Sequence, residues 1–371
     1  MENIGLVTFS TSIGNYGQVL QAYAIQEYLK KRGHNVLLLR QKEGNIKRIF
    51  NILILYIKRL LCILTTSSKI RKSYESQYKY IRNKQKAAEE EKKHPRKFED
   101  FRKNHFTIID NSKASLRNNQ ITALCAGSDQ IWTGHNPFHF LDFGGNNLKR
   151  FSLASSTGNR KISVKSKIKI KKWLSRFEFI SVREDSGLRL CQELGYNNTV
   201  KILDPTFLLQ AEDYDKITYK QNNKENYIFV YLLNSDIPIQ YSKILNFAKQ
   251  NDMSVKYVAG QGRIDNENKI YATVPEWLTL LRNSKYVITN SFHGMVFSII
   301  YQKPFLVLPR IGDTGYMNER IVDITKKMGL EERIFNEDID VIKDKMSFSK
   351  AHDEIIDNKQ RLNEILINIG L

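Results

Sequence analysis

The sequence predicts an α/β protein of two Rossmann-like domains facing a cleft, with a basic helical insertion in the first domain. Three observations carry that expectation. Short apolar, β-branched runs recur along the chain, and each stops at a small polar cluster. Several clusters are followed by apolar residues at helical spacing, closed by a glycine or by a proline, which is the strand, turn, helix order of a parallel sheet. At 371 residues and 43.3 kDa the chain also exceeds one ordinary core. The expected division is residues 1–206 and residues 207–371, with the insertion at about 43–105 and a closing C-terminal helix.

Residues 4–9 read as the first strand. Gly14, Asn15, Tyr16 and Gly17 form a loop; Val19, Leu20, Tyr23, Ala24 and Leu29 then recur at helical spacing, and Gly33 closes the helix before a strand at 36–39. This opening lacks the full dinucleotide fingerprint. No third glycine follows Gly17 at the required place, and Arg40 stands where an acid would hold a ribose, so a nicotinamide cofactor is not expected. The loop suits close approach of a sugar or phosphate, or serves only as the turn that starts a helix.

The insertion carries most of the charge. The chain has 58 basic and 39 acidic residues, a net charge of +19, and residues 42–103 supply +11 of it. Such localisation argues for one attached basic element and against a uniformly basic nucleic-acid binder. Segment 49–64 is apolar, too short to span a bilayer, and broken by Lys58 and Arg59. With Lys47, Arg48, Lys69, Arg71 and Lys72 at its flanks, it suits either an anionic membrane interface or packing against the sheet. Residues 74–103 read as a solvent-facing helix until Phe98 and Phe101 return it to the core.

A strand at 121–126 runs into GSDQIW. There Asp129 and Gln130 suit sugar hydroxyls and Trp132 suits stacking on a sugar face; a plain helix cap is the alternative. Short strands are expected at 140–143 and 150–155, the latter ending in Ser155, Ser156, Thr157 and Gly158. Residues 160–176 hold eight basic residues and no acid, so an exposed basic helix is expected. A strand at 179–182 leads into Arg183, Glu184 and Asp185, a helix at 188–194 is closed by Gly195, and a strand at 200–203 precedes Asp204, Pro205 and Thr206, the exit from the first domain. Arg183 suits a fork for carboxylate or phosphate, or a structural pair with its neighbouring acids.

The second half repeats the pattern: strand 227–233, helix 239–250, strand 255–258, a loop-rich stretch at 260–268 and helix 275–282. Then comes the stretch YVITNSFHGMVFSIIYQKPFLVL at 286–308. Its strand stops at Asn290 and Ser291; His293 and Gly294 open a helix too continuously apolar for the surface, and Lys303 and Pro304 end it before a buried strand. A histidine beside the N–H groups of a helix start, at the carboxyl end of a sheet, makes an anion site; a structural cap is the alternative. A loop at 310–314 and helices at 317–328 and 348–369 follow.

Cys62, Cys125 and Cys191 lie far apart, and no Cys and His cluster suggests a metal site. Neither a secretory signal nor a membrane-spanning run is read, so a cytoplasmic protein is expected, with peripheral contact at the inner face of the cytoplasmic membrane open through the basic segment.

Taken together, NYGQVLQAYAIQEYL, GSDQIW, LDFGG, RFSLASSTG, ISVRED, LDPTFLL and VITNSFHGMVFSI resemble the polysaccharide pyruvyl transferase family in order and rough spacing, from about residue 4 to about residue 330. The resemblance implies a GT-B-like fold of two Rossmann domains. It also implies transfer of a pyruvyl group from phosphoenolpyruvate to a sugar of a cell-surface polysaccharide or its lipid-linked precursor, as a ketal on two hydroxyls, without a metal or other cofactor. By match to the family, His293 is the general acid/base and Arg183 an anion clamp. Donor contacts are expected from Asn290, Ser291, Gly294, Lys303 and Arg310. Acceptor contacts are expected from Asn15, Tyr16, Gly17, Asp129, Gln130 and Trp132. Many members carry an arginine where this chain has Ser291, so Lys303, Arg310 or the helix N-terminus must supply that charge. Two other classes remain open at this point: a nucleotide-sugar glycosyltransferase of the same fold, and a non-enzymatic basic protein binding nucleic acid or an anionic surface.

Overall fold

The computed structural model describes residues 1–42, 89–134, 136–158, 162–220, 225–233, 237–263, 265–311 and 318–371, with scattered residues between 54 and 82. By packing it forms two compact units: Met1–Arg40 with Lys97–Leu371, and Gln41–Arg96. In the smaller unit the described residues from 54 to 93 are helical. Most of the apolar segment 49–64, with Cys62, lies outside the described residues.

The larger unit holds two parallel sheets. The first half runs β1 (Asn3–Val7), α1 (Tyr16–Lys31), β2 (Asn35–Arg40), α2 (Phe98–His105), β3 (Ile108–Asp110), α3 (Lys113–Asn118), β4 (Ala123–Ala126), β5 (Lys149–Ser152), α4 (Val164–Leu174), β6 (Ser181–Val182), α5 (Asp185–Glu193) and β7 (Val200–Lys201). Its strands lie in the order β3-β2-β1-β4-β5, and single bridges from Phe151 to Phe179 and from Ser155 to Val182 continue the sheet into β6 and β7. The second half runs α6 (Ala211–Asp215), β8 (Tyr227–Leu232), α7 (Tyr241–Gln250), β9 (Ser254–Ala259), α8 (Val274–Asn283), β10 (Tyr286–Thr289), α9 (Phe292–Ile300), β11 (Phe305–Val307), α10 (Glu319–Met328) and α11 (Ser349–Asn368), with strand order β11-β10-β8-β9. Every strand pair is parallel. Parallel strands covered on both faces need apolar residues at every position, and β8 and β4 are buried throughout for that reason.

In such sheets ligands sit where the strand order reverses, outside the carboxyl ends of the strands. Here the order reverses between β1 and β4 in the first half and between β8 and β10 in the second. Both places are joined by aromatic packing. The Tyr16 ring, fully buried at the start of α1, stacks 5.2 Å from Trp277 of α8 and meets Tyr231 of β8 edge-on, while its hydroxyl donates to the Ala272 carbonyl at 2.6 Å. One hydrophobic core therefore runs through both halves. The closing helix returns to the first half, where Tyr28 and Arg32 donate to Asn363.

Two expectations are corrected. No strand forms at 140–143: Asn136 caps a 3-10 turn at Pro137–Phe140, and Leu141 takes a left-handed φ of 56°. The buried Arg150 guanidinium then occupies the carbonyls of Leu141, Phe143, Gly145 and Leu148, the acceptors a neighbouring strand would need. The basic helix is shorter than 160–176 and not wholly exposed, because Ser166, Ile170, Trp173 and Leu174 pack inward. Among the described residues no helix is long and apolar enough to cross a membrane.

Candidate active site

The two reversal points face each other through the first turns of α1 and α9. Thr289 ends β10, and Gly294 lies so close to it that a Cβ would strike the threonine hydroxyl; only glycine lets α9 start this near its own strand. Ser291 caps α9 by accepting from the Gly294 N–H at 3.3 Å. Asn290, fully buried, uses its amide to tie the end of β8, accepting from Leu233 N at 2.7 Å. These side chains are therefore committed to building the strand end, and what they offer a donor is the helix start they create.

His293 projects from that first turn and is 7% exposed. Its ring lies against α1: a Cβ on Gly17 would fall inside the van der Waals envelope of the imidazole Cγ and Nδ1. Gly17 thus serves the histidine by leaving it room. The imidazole Nε2 stands 3.6 Å from Asp204 Oδ2, beyond hydrogen-bond length, and has no other partner.

Asp204 is the hub of the site. It is completely buried, yet its carboxyl is held well below the usual range, because His293 and Arg183 outweigh the burial that would raise it. One oxygen, Oδ1, caps the following turn by accepting from Thr206 N and Oγ1 at 3.1 and 2.7 Å. The other, Oδ2, accepts from Arg183 Nη1 at 2.6 Å and Ser128 Oγ at 3.3 Å.

Arg183, 5% exposed, leaves β6 directly into this cluster. Burial opposes its charge, but Asp204, Glu184 and Asp129 more than restore it, so its affinity for its proton is raised. Glu184 is itself buried and wrapped by the polar loop after β5, accepting from Ser156 Oγ, Thr157 N and Gly158 N at 2.6, 2.8 and 3.0 Å. Arg183 Nη2 has no partner, and its guanidinium lies 5.0 Å from the Phe292 ring centre. Arg320 of α10 lies 5.1 Å from the same ring centre.

On the sugar side, Asp129 adopts φ 66° and accepts from Gln18 Nε2 at 3.1 Å. Asn15 caps α1 through Gln18 N and donates to Gln261 across the halves at 3.2 Å. Gln130 lies beside Gly158, partly exposed. Two expected acceptor contacts are corrected. Trp132 is fully buried, stacked on Phe140 at 5.3 Å with its indole N–H donated to the His139 carbonyl, so no face of the ring is open to a sugar. Tyr16 is equally closed, its ring and hydroxyl both spent between the halves.

Of the expected donor cations, Lys303 is also corrected. It follows the C-terminus of nine-residue α9, a helix length of about 13 Å from His293, beside Arg282 instead. Arg310 does stand at the correct end, after β11, where its Nε donates to the Asn290 carbonyl at 3.1 Å. Asp204, Ser128 and Arg320 were not read as site residues. The first looked like a domain exit, and the only sign of Arg320 in the sequence is a cation in the first turn of a helix, where the dipole disfavours it. Among the described residues no group of His, Cys, Asp or Glu is placed to hold a metal ion.

Comparison with solved structures shows a likeness of fold. S. aureus MnaA, in a co-structure with UDP, is 11% identical with a TM-score of 0.51, over 100% of this chain and 98% of that one. A Listeria monocytogenes protein assigned as a UDP-N-acetylglucosamine 2-epimerase is 9% identical with a TM-score of 0.50, over 99% and 95%. The shared feature is the pair of Rossmann-like halves of a GT-B-like fold. No curated protein matches the sequence. The family model for polysaccharide pyruvyl transferase matches residues 15–310, a span that holds α1, the Asp129 loop, Arg183, Asp204, His293 and Arg310. On that match, the chain belongs to the polysaccharide pyruvyl transferase family.

Proposed function

We propose that the chain transfers the pyruvyl group of phosphoenolpyruvate to two hydroxyls of a sugar, in a polysaccharide or its lipid-linked precursor, forming a pyruvate ketal and releasing phosphate. The observation that carries this reading is the Arg183–Asp204–His293 cluster, buried where the helix starts of both halves meet. Ketal formation needs positive charge for a carboxylate and a phosphate, one proton donor at the enol methylene, and a base for each attacking hydroxyl. Arg183 and the N–H groups of α1 and α9 meet the first need. His293 meets the next two: it protonates the methylene carbon as the first hydroxyl adds to the neighbouring carbon, then takes that hydroxyl's proton. Phosphate leaves as the second hydroxyl closes the ketal, and the departing phosphate carries off the second hydroxyl's proton. The Asp204 carboxylate lies 3.6 Å from the imidazole Nε2, and general acid/base help of this kind contributes about 10²- to 10⁴-fold. Asp129, Gln130 and Asn15 are the acceptor-side hydrogen-bonding groups. No resident cofactor enters this scheme. Peripheral contact with an anionic membrane through the basic segment 49–64 would bring the enzyme to a lipid-linked acceptor; deletion of that segment with unchanged vesicle binding would retire the idea.

The test is thermal unfolding with phosphoenolpyruvate, with UDP and with neither, for the native chain, His293→Ala and Arg183→Ala. A ligand at a hundred times its Kd adds roughly 2.7 kcal/mol. Stabilisation by phosphoenolpyruvate that survives His293→Ala but is lost in Arg183→Ala supports the pyruvyl donor. The second reading, a nucleotide-sugar transferase, draws on the fold shared with a protein solved with UDP. Stabilisation by UDP alone would favour it.

A further inference from the structure

Arg320 is a buried charge to which the reaction above gives no task. It stands in the first turn of α10, where the helix dipole opposes a cation, and is only 9% exposed. Among the described residues no carboxylate is within ion-pair distance, and its Nε has no hydrogen-bond partner. Burial, with Arg183 and Arg310 nearby, pushes its affinity for a proton down to about 10, although Glu184 and Asp129 act the other way. A guanidinium held unpaired out of water is strongly unfavourable, so the fold retains it against its own stability. Ion pairs of Arg189 with Glu319 and of Lys201 with Asp323 bind α10 to the first half on either side of it. Arg183 Nη2 and His293 Nε2 are likewise buried without hydrogen-bond partners, and both arginines stand over the Phe292 ring, 5.0 and 5.1 Å from its centre. Unsatisfied donors therefore come from three elements to the start of α9.

We propose that Arg320 is a ligand-binding residue of this site, which with Arg183 Nη2 receives a tetrahedral phosphoryl oxyanion at the first turn of α9. A phosphoryl group offers three oxygens to donors arriving from different directions, whereas a carboxylate offers two in one plane. Arg183 is already balanced by Asp204 and Glu184, so Arg320 brings the charge that an incoming anion neutralises. The assignment rests on the proposed function only for the source of the group: the phosphate of phosphoenolpyruvate there, a nucleotide phosphate in the other reading.

The experiment is calorimetric titration of the full chain with inorganic phosphate, phosphoenolpyruvate, UDP and pyruvate, for the native protein, Arg320→Gln and Arg320→Lys. The expected result is a tenfold or greater loss of affinity for phosphate-bearing ligands in Arg320→Gln, with pyruvate binding unchanged. The ligand-free unfolding midpoint should not fall, because an unpaired charge has been removed. Arg320→Lys should recover part of the affinity, and it carries the comparison if Arg320→Gln does not fold. Phosphate-bearing ligands bound as tightly by Arg320→Gln as by the native protein, or pyruvate lost in equal measure, would overturn the assignment. UDP binding that needs Arg320, without phosphoenolpyruvate binding, keeps the assignment and retires the pyruvyl donor. Phosphoenolpyruvate binding indifferent to Arg320 does the reverse, and a native protein that takes up none of the phosphate-bearing ligands retires both.

Discussion

Gly17→Ala isolates the contact on which the proposed acid/base depends. The added methyl would overlap Cγ and Nδ1 of His293, and a rigid imidazole at the start of α9 must retreat by more than about 1 Å to restore ordinary contact. Two opposed terms set the stability change. Alanine in place of glycine within α1 gains about 0.8–1 kcal/mol of helix propensity, and overpacking a closed site costs about 1–3 kcal/mol. The net expectation is a loss of roughly 0–2 kcal/mol, so the variant folds. Catalysis has no such compensation, because a displacement of this size lowers the rate by about 100-fold. Phosphate release from phosphoenolpyruvate with an acceptor reads the rate, and urea unfolding reads the stability. A variant that is fully active and more stable than the native chain would show that the ring moves freely, and the placement of His293 by α1 would be wrong.

Further outcomes follow from the same cluster. Asp204→Asn should destabilise by about 3–5 kcal/mol, measured by urea unfolding, because Arg183 is left buried beside a neutral amide. Acid should weaken the fold in a defined window. The Asp213 carboxyl, paired with Lys31 and Lys216, is lowered from 3.8 to about 2, and Asp204 is also lowered. Groups depressed in the folded state stabilise it above their unfolded values and lose that contribution as pH falls through the folded ones. Urea midpoints should therefore hold above about pH 5 and decline from about pH 4 downward. Asp213→Asn should flatten the part of the decline between about pH 4 and pH 2, and an unchanged slope would contradict the pairing. Trp132→Phe should leave the acceptor KM unchanged while lowering stability by about 1–3 kcal/mol, since the ring is buried and its N–H bonded. A raised KM at unchanged stability would return the ring to the sugar.

The alternation of buried strands, polar strand ends and amphipathic helices was legible because it is local. Gly33 and Pro304 punctuate where expected, and the start of α9 forms at Ser291 as its cap chemistry demands. The strand expected at 140–143 failed for a non-local reason: Arg150, from a neighbouring strand, holds the carbonyls of that segment. Trp132 was misjudged in the same way. A ring beside a polar loop looks available in sequence, and only packing against Phe140 and Phe177 closes it.

His293 and Arg183 stand out in the sequence because each follows an apolar strand, and a charged or titratable side chain at a strand end is a local signal. The sequence by itself thus determined the α/β class, the glycines at close approaches, and the two residues to which the proposed chemistry is assigned. Tertiary structure alone decided their company. Asp204 lies 21 residues beyond Arg183, while Gly17 and His293 come from opposite halves. Arg320 reaches the same Phe292 ring as Arg183 only because α10 packs back onto the first half. Those contacts depend on how two sheets and their helices meet, and burial then fixes their energies, since charges brought together out of water interact far more strongly than any neighbours along an exposed chain.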